Sequence, residues 1–265
     1  MPAIATHYFF ALDVYDKLNK QTKIKIIEHF DEYKIGAQGP DIFFYYKPIG
    51  YKNDIRAYGQ KLHHSPALNF IKTALDNVKE NNSELGLSYL LGLISHFCLD
   101  SSFHKVINKE AYNFDLHMIL EKELDRYYIY KKTNISPLKF KRYLLVDYNN
   151  NYYHSFLKYI YPEVNPDISY DAIKEMYEIN KLLYSPNGIK KEAFKIVFKG
   201  IKAVPYDYSN MIIDIDDEML FHNTIQKLDS MWPETVDKAT KLIENALAYL
   251  ENKQDLDKYF ENDFE

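Results

Sequence analysis

A chain of 265 residues with 33 Lys and Arg against 38 Asp and Glu has a net charge of −5, and its basic residues are scattered, which argues against a long nucleic-acid partner. Hydrophobic residues make up 46%, enough for a sizeable core, and a single cysteine excludes an intramolecular disulfide framework. The opening MPAIATHYFFALDVYDKL lacks the basic, apolar and small-residue succession of a secretory signal, so a cytoplasmic location is expected.

Thr6 is expected to cap a first helix from His7 to about Leu18, with Phe9, Phe10, Val14 and Leu18 on its apolar stripe. A second helix is expected over Thr22 to Tyr33, with His29 charge-flanked and exposed. The stretch Gly36 to Asp41 (GAQGPD) stops any helix and leaves Asp41 at a turn, where local chemistry favours a turn or cap role. Phe43 to Tyr46 follow, as an aromatic wall beside a site or as core. Gly50 to Gln60 reads as polar loop, leading to Leu62-His63-His64-Ser65-Pro66, where Pro66 suits the first turn of a helix through Leu75. By local chemistry, one of His63 and His64 can reach a metal while the other faces solvent.

Ser83 to Arg126 organises the rest. From Leu85 to Leu99 (LGLSYLLGLISHFCL) no residue is acidic or basic apart from His96, so a helix there is buried all round. At 15 residues the run is short of the roughly 20 that span a bilayer. An α-helix turns about 100° per residue, so His96 and Asp100 project together, as do His117 and Glu121. With that helix expected to end near Ser101, His104 can fold back toward Asp100. An uncompensated charge at the end of a buried helix costs several kcal/mol, and a divalent cation compensates it. For one pair alone the alternative is that His96 and Asp100 bond to each other and Glu121 faces solvent among Lys122, Glu123 and Asp125. Two pairs with a histidine between them favour zinc.

In the C-terminal half, Pro137 to Asp147 and Asn151 to Tyr161 read as helices, Asp167 or Ser169 as the cap of a helix reaching Leu183, and Lys190 to Lys202 as another. Glu218 to Leu228 and Pro233 to Leu250 complete the count. His154 and His222 have no acidic partner at ligand spacing and read as structural. Alternating strand patterns are scarce, so the expected class is all-α: a single helical domain over residues 1–265, of about eight to ten helices around the apolar one. With 8 glycines and no G-x-G-x-x-G or G-K-[ST] motif, dinucleotide and P-loop folds are disfavoured.

His7 near the start of the first helix, Gly39-Pro40-Asp41, His63, His96-Phe-Cys-Leu-Asp100, His104 and His117-Met-Ile-Leu-Glu121 stand in an order that resembles the zinc-dependent phospholipase C family. That family shares its all-helical fold with single-strand-specific zinc nucleases. The resemblance implies two or three zinc ions: one on Asp41, His63, His96 and Asp100, and a second on His104, His117 and Glu121. Asp100 would bridge to a third, completed by His7 and by the N-terminal amine and carbonyl, which excision of Met1 would place on Pro2. It also implies that Asp41 orients or deprotonates a bound water. The implied reaction is hydrolysis between the diacylglycerol oxygen and the phosphate of a phospholipid, with the possibility of peripheral membrane contact. Two departures stand out: the family's N-terminal tryptophan is absent, and no β-sandwich follows the helices. Membrane docking is then expected on the helical domain itself, or the substrate is a soluble phosphodiester. The competing expectations are a nuclease or nucleotide phosphodiesterase of the same fold, which needs base-stacking aromatics, and a non-catalytic helical protein that keeps zinc for stability.

Overall fold

The computed structural model describes residues 3–48, 53–148, 152–186, 190–200, 208–213 and 219–265, and every regular element among them is helical. The α-helices run in the order α1 (Ile4–Lys17), α2 (Lys20–Ile27), α3 (Phe30–Gly36), α4 (Asp54–His63), α5 (Ala67–Glu80), α6 (Glu84–Glu110), α7 (Phe114–Thr133), α8 (Tyr153–Ile160), α9 (Pro166–Leu183), α10 (Lys190–Gly200) and α11 (His222–Leu250). Short 3-10 segments occupy Gly39–Tyr45, Arg142–Leu145, Tyr208–Met211 and Lys258–Glu261. Among the described residues the all-α class is as expected; α4 forms where the sequence read as loop, and one expected helix is split into α2 and α3. No helix among the described residues is long and apolar enough to cross a membrane.

The apolar segment lies at the centre. The Ser83 hydroxyl accepts the Gly86 N–H and Glu84 occupies the first turn, both favourable at a helix N-terminus. From Ser88 to His104 every residue of α6 is buried, and α1, α3, α5, α8 and α11 pack around it. Against α3 the approach is so close that a Cβ on Gly92 would come within 2.0 Å of the Tyr33 carbonyl oxygen. The helix does not end near Ser101. It continues to Glu110, with the Ser101 and Ser102 hydroxyls each 3.1 Å from the Tyr259 hydroxyl. His96, Asp100 and His104 therefore stand at i, i+4 and i+8 of one helix, and His104 reaches the site without folding back.

Other boundaries also differ from expectation. α1 begins at Ile4, so Thr6 is not its cap; the Thr6 N–H and hydroxyl donate to Asp125 Oδ1 at 2.9 and 3.0 Å. The second helix is broken into α2 and α3 at His29, which is partly buried, 3.5 Å from Glu84. The polar stretch before His63 is α4, because the Asn53 side chain accepts from the N–H groups of Ile55 and Arg56 and starts the helix. Asn165, followed by Pro166, caps α9 in place of Asp167 or Ser169. Pro137 to Asp147 holds only the 3-10 turn at Arg142–Leu145. The last two expected helices are one, α11, with Pro233 inside it. Trp232 stacks on Tyr128 at 4.0 Å and donates its Nε1–H to Asp13 at 2.7 Å, so tertiary contacts hold the chain helical through the proline. Residues 149–151, 187–189, 201–207 and 214–218, on which other sequence expectations fell, lie outside the described residues.

Three acids of α7 make separate contacts. Glu121 faces the site. Glu123 accepts the Leu220 and Phe221 N–H groups at 2.9 Å each, at the start of α11. Asp125 receives Thr6 at the start of α1 and pairs with Arg142 at 3.3 Å, while Arg142 also donates to the Met211 carbonyl at 2.6 Å.

Candidate metal centre

Five elements converge. α1 supplies His7, the 3-10 segment Asp41, the last residue of α4 is His63, α6 supplies His96, Asp100 and His104, and α7 supplies His117 and Glu121. All are buried except His117, which is nearly so. The donor atoms of His7, Asp41, His96 and Asp100 lie within 4.8 Å of one another, and those of His104, His117 and Glu121 form a second such group. His63 joins the first group through Asp41, with Nε2 2.8 Å from Oδ1. Asp100 is shared: Oδ1 lies 3.2 Å from His7 Nε2 and Oδ2 3.0 Å from His96 Nε2. Glu121 Oε1 lies 3.1 Å from His117 Nε2 and 3.7 Å from His104 Nε2.

Backbone carbonyls fix the rings. Nδ1 of His63 donates to Gly59 at 2.8 Å, Nδ1 of His96 to Ala37 at 3.1 Å, and Nδ1 of His104 to Phe264 at 2.9 Å. A carbonyl only accepts, so each Nδ1 carries a proton and each ring turns Nε2 inward, toward the carboxylates. The Nε2 atoms of His63 and His96 are buried without a hydrogen-bond partner, although carboxylate oxygens are close. An Nε2 facing a buried carboxylate is favourable only with positive charge between them, which a proton or a metal ion supplies. Two ligands about 2.0–2.1 Å from one tetrahedral zinc are about 3.3 Å apart, close to the separations found here. The donor set fits zinc.

The Gly39-Pro40 turn brings Asp41 in. Gly39 has φ +48°, and a Cβ there would lie 2.5 Å from His96 Cδ2, so only glycine lets this backbone rest against the imidazole. Burial opposes charge on every carboxylate, yet His96, His7 and His104 hold Asp100 well below the usual range. His96 and His63 likewise lower Asp41 against its burial, and His117 and His104 lower Glu121. In return, burial lowers His104, but Asp100 and Glu121 outweigh it and raise the imidazole to about 9; Asp100 raises His7 in the same way.

Asp41, His63, Asp100, His104, His117 and Glu121 line one cleft of about 800 Å³. A family model described as zinc dependent phospholipase C matches residues 6–165. The chain belongs to the zinc-dependent phospholipase C family. The matched span contains His7 through Glu121, so phospholipase-type zinc-dependent hydrolysis is the general function of a member of this family, and the buried histidine and carboxylate groups are where its metal can sit. No curated protein and no solved structure matches the chain.

Of the residues singled out in the sequence, His7, Asp41, His63, His96, Asp100, His104, His117 and Glu121 are brought together, and Pro2 lies outside the described residues. Glu121 does not face solvent. His64 stands at the rim, its side chain 61% exposed and 3.4 Å from Glu265. Of the four aromatic residues, Phe43 and Tyr45 are core and Phe44 lines the cleft, joined there by Tyr112 and Phe114. His154, which has no acid at ligand spacing, finds Asp167 thirteen residues on, at 2.8 Å. Sequence reasoning missed Asp125 and Arg142, for which the spacing Glu121-x-Glu123-x-Asp125 was a signal, and Phe264, for which there was none.

Proposed function

We propose that the chain hydrolyses the bond between the diacylglycerol oxygen and the phosphate of a glycerophospholipid, releasing diacylglycerol and a phosphorylated headgroup. The observation that carries this reading is the pair of histidine–carboxylate groups opening on a single cleft. Asp41, His63, His96 and Asp100 would hold one ion and His104, His117 and Glu121 a second. A third would use His7 and the Asp100 oxygen that faces it, with the N-terminal group at Pro2. Bound zinc supplies positive charge to the phosphoryl oxygens and a water of lowered pKa.

The protein's own groups do the rest. The Asp41 carboxylate lines the cleft and is held ionised, so it accepts a hydrogen bond from the attacking water and orients it. Phe44, Tyr112 and Phe114 provide the apolar wall against which the substrate lies while water is excluded. Tyr112 is 82% exposed, an amphipathic ring at the cleft suited to peripheral contact with a lipid surface.

The test uses zinc-loaded and chelated protein with phosphatidylcholine and phosphatidylethanolamine vesicles, a soluble phosphodiester and single-stranded DNA. Zinc-dependent diacylglycerol release supports the proposal. DNA cleavage without lipid turnover would establish the nuclease alternative, and zinc binding with no turnover the non-catalytic one. Asp41→Asn, which keeps an amide oxygen in place of the ligating carboxylate oxygen, should retain its metal and lose at least about 100-fold in rate, the usual scale for a lost acid–base group.

A further inference from the structure

His104 takes its orientation from a residue 160 positions away. Phe264 is fully buried, its N–H donates to the His63 carbonyl at 3.1 Å, and its own carbonyl accepts the His104 Nδ1–H at 2.9 Å. Its ring lies 5.3 Å from that of His63, 5.9 Å from that of His96 and 5.1 Å from that of Phe97. One residue thus touches His63, His96 and His104, which belong to both ligand groups. The segment before it is anchored independently: the Asn262 carbonyl accepts the Ala67 N–H at 2.9 Å, Asp257 caps the 3-10 turn Lys258–Glu261, and Phe260 stacks on Phe97 at 5.5 Å. Glu265 continues to the cleft wall.

We propose that Phe264 is a positioning residue for the metal centre, its main-chain carbonyl fixing the His104 tautomer that presents Nε2 to the second ligand group. A carbonyl acceptor on the outer nitrogen orients a ligating imidazole and raises its basicity, and losing such a partner typically weakens metal binding by roughly 10- to 100-fold. The role rests on the zinc reading proposed above.

The discriminating pair separates the carbonyl from the ring. Phe264→Ala removes the ring and keeps the carbonyl; a chain ending at Asp263 removes both. Zinc affinity is measured by competition with a chelating dye, alongside far-ultraviolet circular dichroism. The expected result is that the shortened chain binds zinc at least about 10-fold more weakly than Phe264→Ala while retaining its helicity. Equal affinities in the two variants would overturn the proposal. The wild-type protein gives a second readout that requires no variant to fold: long-range proton–nitrogen spectra of the imidazoles should show His104 protonated at Nδ1 and bound through Nε2. His104 protonated at Nε2 instead would overturn it. Wild-type protein that binds no zinc at all would overturn the metal reading and this role with it, whereas normal zinc binding with equal variants removes only the role of Phe264.

Discussion

His63 Nε2 faces Asp41 Oδ1 at 2.8 Å while Nδ1 of the same ring gives its proton to the Gly59 carbonyl, so ring and carboxylate are joined only when a proton or a metal ion sits on Nε2. The same holds for His96, whose proton goes to Ala37 while Nε2 meets Asp100. The site therefore depends on positive charge between its rings and carboxylates, supplied by protons in chelated protein and by a metal ion in loaded protein.

Chelation should accordingly destabilise the protein. With zinc at 1,000 times its dissociation constant, binding contributes about 4 kcal/mol, which in a chain of this size raises the melting temperature on the order of 10 °C. Calorimetry before chelation, after it and after zinc is restored checks this; unchanged melting across the three would mean that no metal is bound.

Gly39→Ala should injure the site without touching a candidate ligand. The new methyl would meet His96 Cδ2 at 2.5 Å on a backbone at φ +48°, so either the turn or the imidazole must move. The expected cost is about 1–3 kcal/mol, together with weaker zinc binding. A variant that melts and binds zinc like the wild type would show that the turn adapts freely.

Asp125→Ala should cost about 3–5 kcal/mol, since it leaves Arg142 buried without its carboxylate and strips Thr6 of its acceptor. His7 follows Thr6, so this variant should also alter the His7 imidazole resonances, while Asp125→Asn, which can still accept from Thr6, should do less. Denaturant titration and histidine spectra provide the two readings, and a loss below about 1 kcal/mol would contradict the anchoring role.

The pH dependence of chelated protein follows from the raised histidines and depressed carboxylates. His104 rises from 6.5 unfolded to about 9 folded, so its contribution is complete below 6.5 and is lost as pH climbs through about 9. Asp41, Asp100 and Glu121 are depressed, so their contribution is present above their unfolded values near 4 and is lost as pH falls through the lower folded ones. Chelated protein should therefore lose stability between pH 6.5 and 9. Zinc binding requires deprotonated imidazoles and strengthens over the same range, so the difference in melting temperature between loaded and chelated protein should widen with pH. Parallel melting curves at pH 6 and pH 9 would refute the coupling.

The site was legible where its partners are close in sequence. His96 with Asp100 and His117 with Glu121 are one helical turn apart, and the apolar run around His96 announced a buried helix. What stayed hidden depends on distant partners. The continuation of α6 past Ser101 relies on Tyr259, the start of α1 on Asp125, and passage of α11 through Pro233 on packing of Trp232 against Tyr128. Local pattern carries no record of such contacts. Local chemistry left His63 and His64 alike and the resemblance picked His63; the end of α4 places that imidazole beneath the cleft and the next at its rim.

Thr6 reaches Asp125 across 119 positions and His104 reaches Phe264 across 160, so segments far apart in the sequence close on the same centre. Contacts that distant form late, after the local helices have condensed. His104 gains its carbonyl partner only after residue 264 has been made and has docked, so the second ligand group is the later of the two to reach its final orientation.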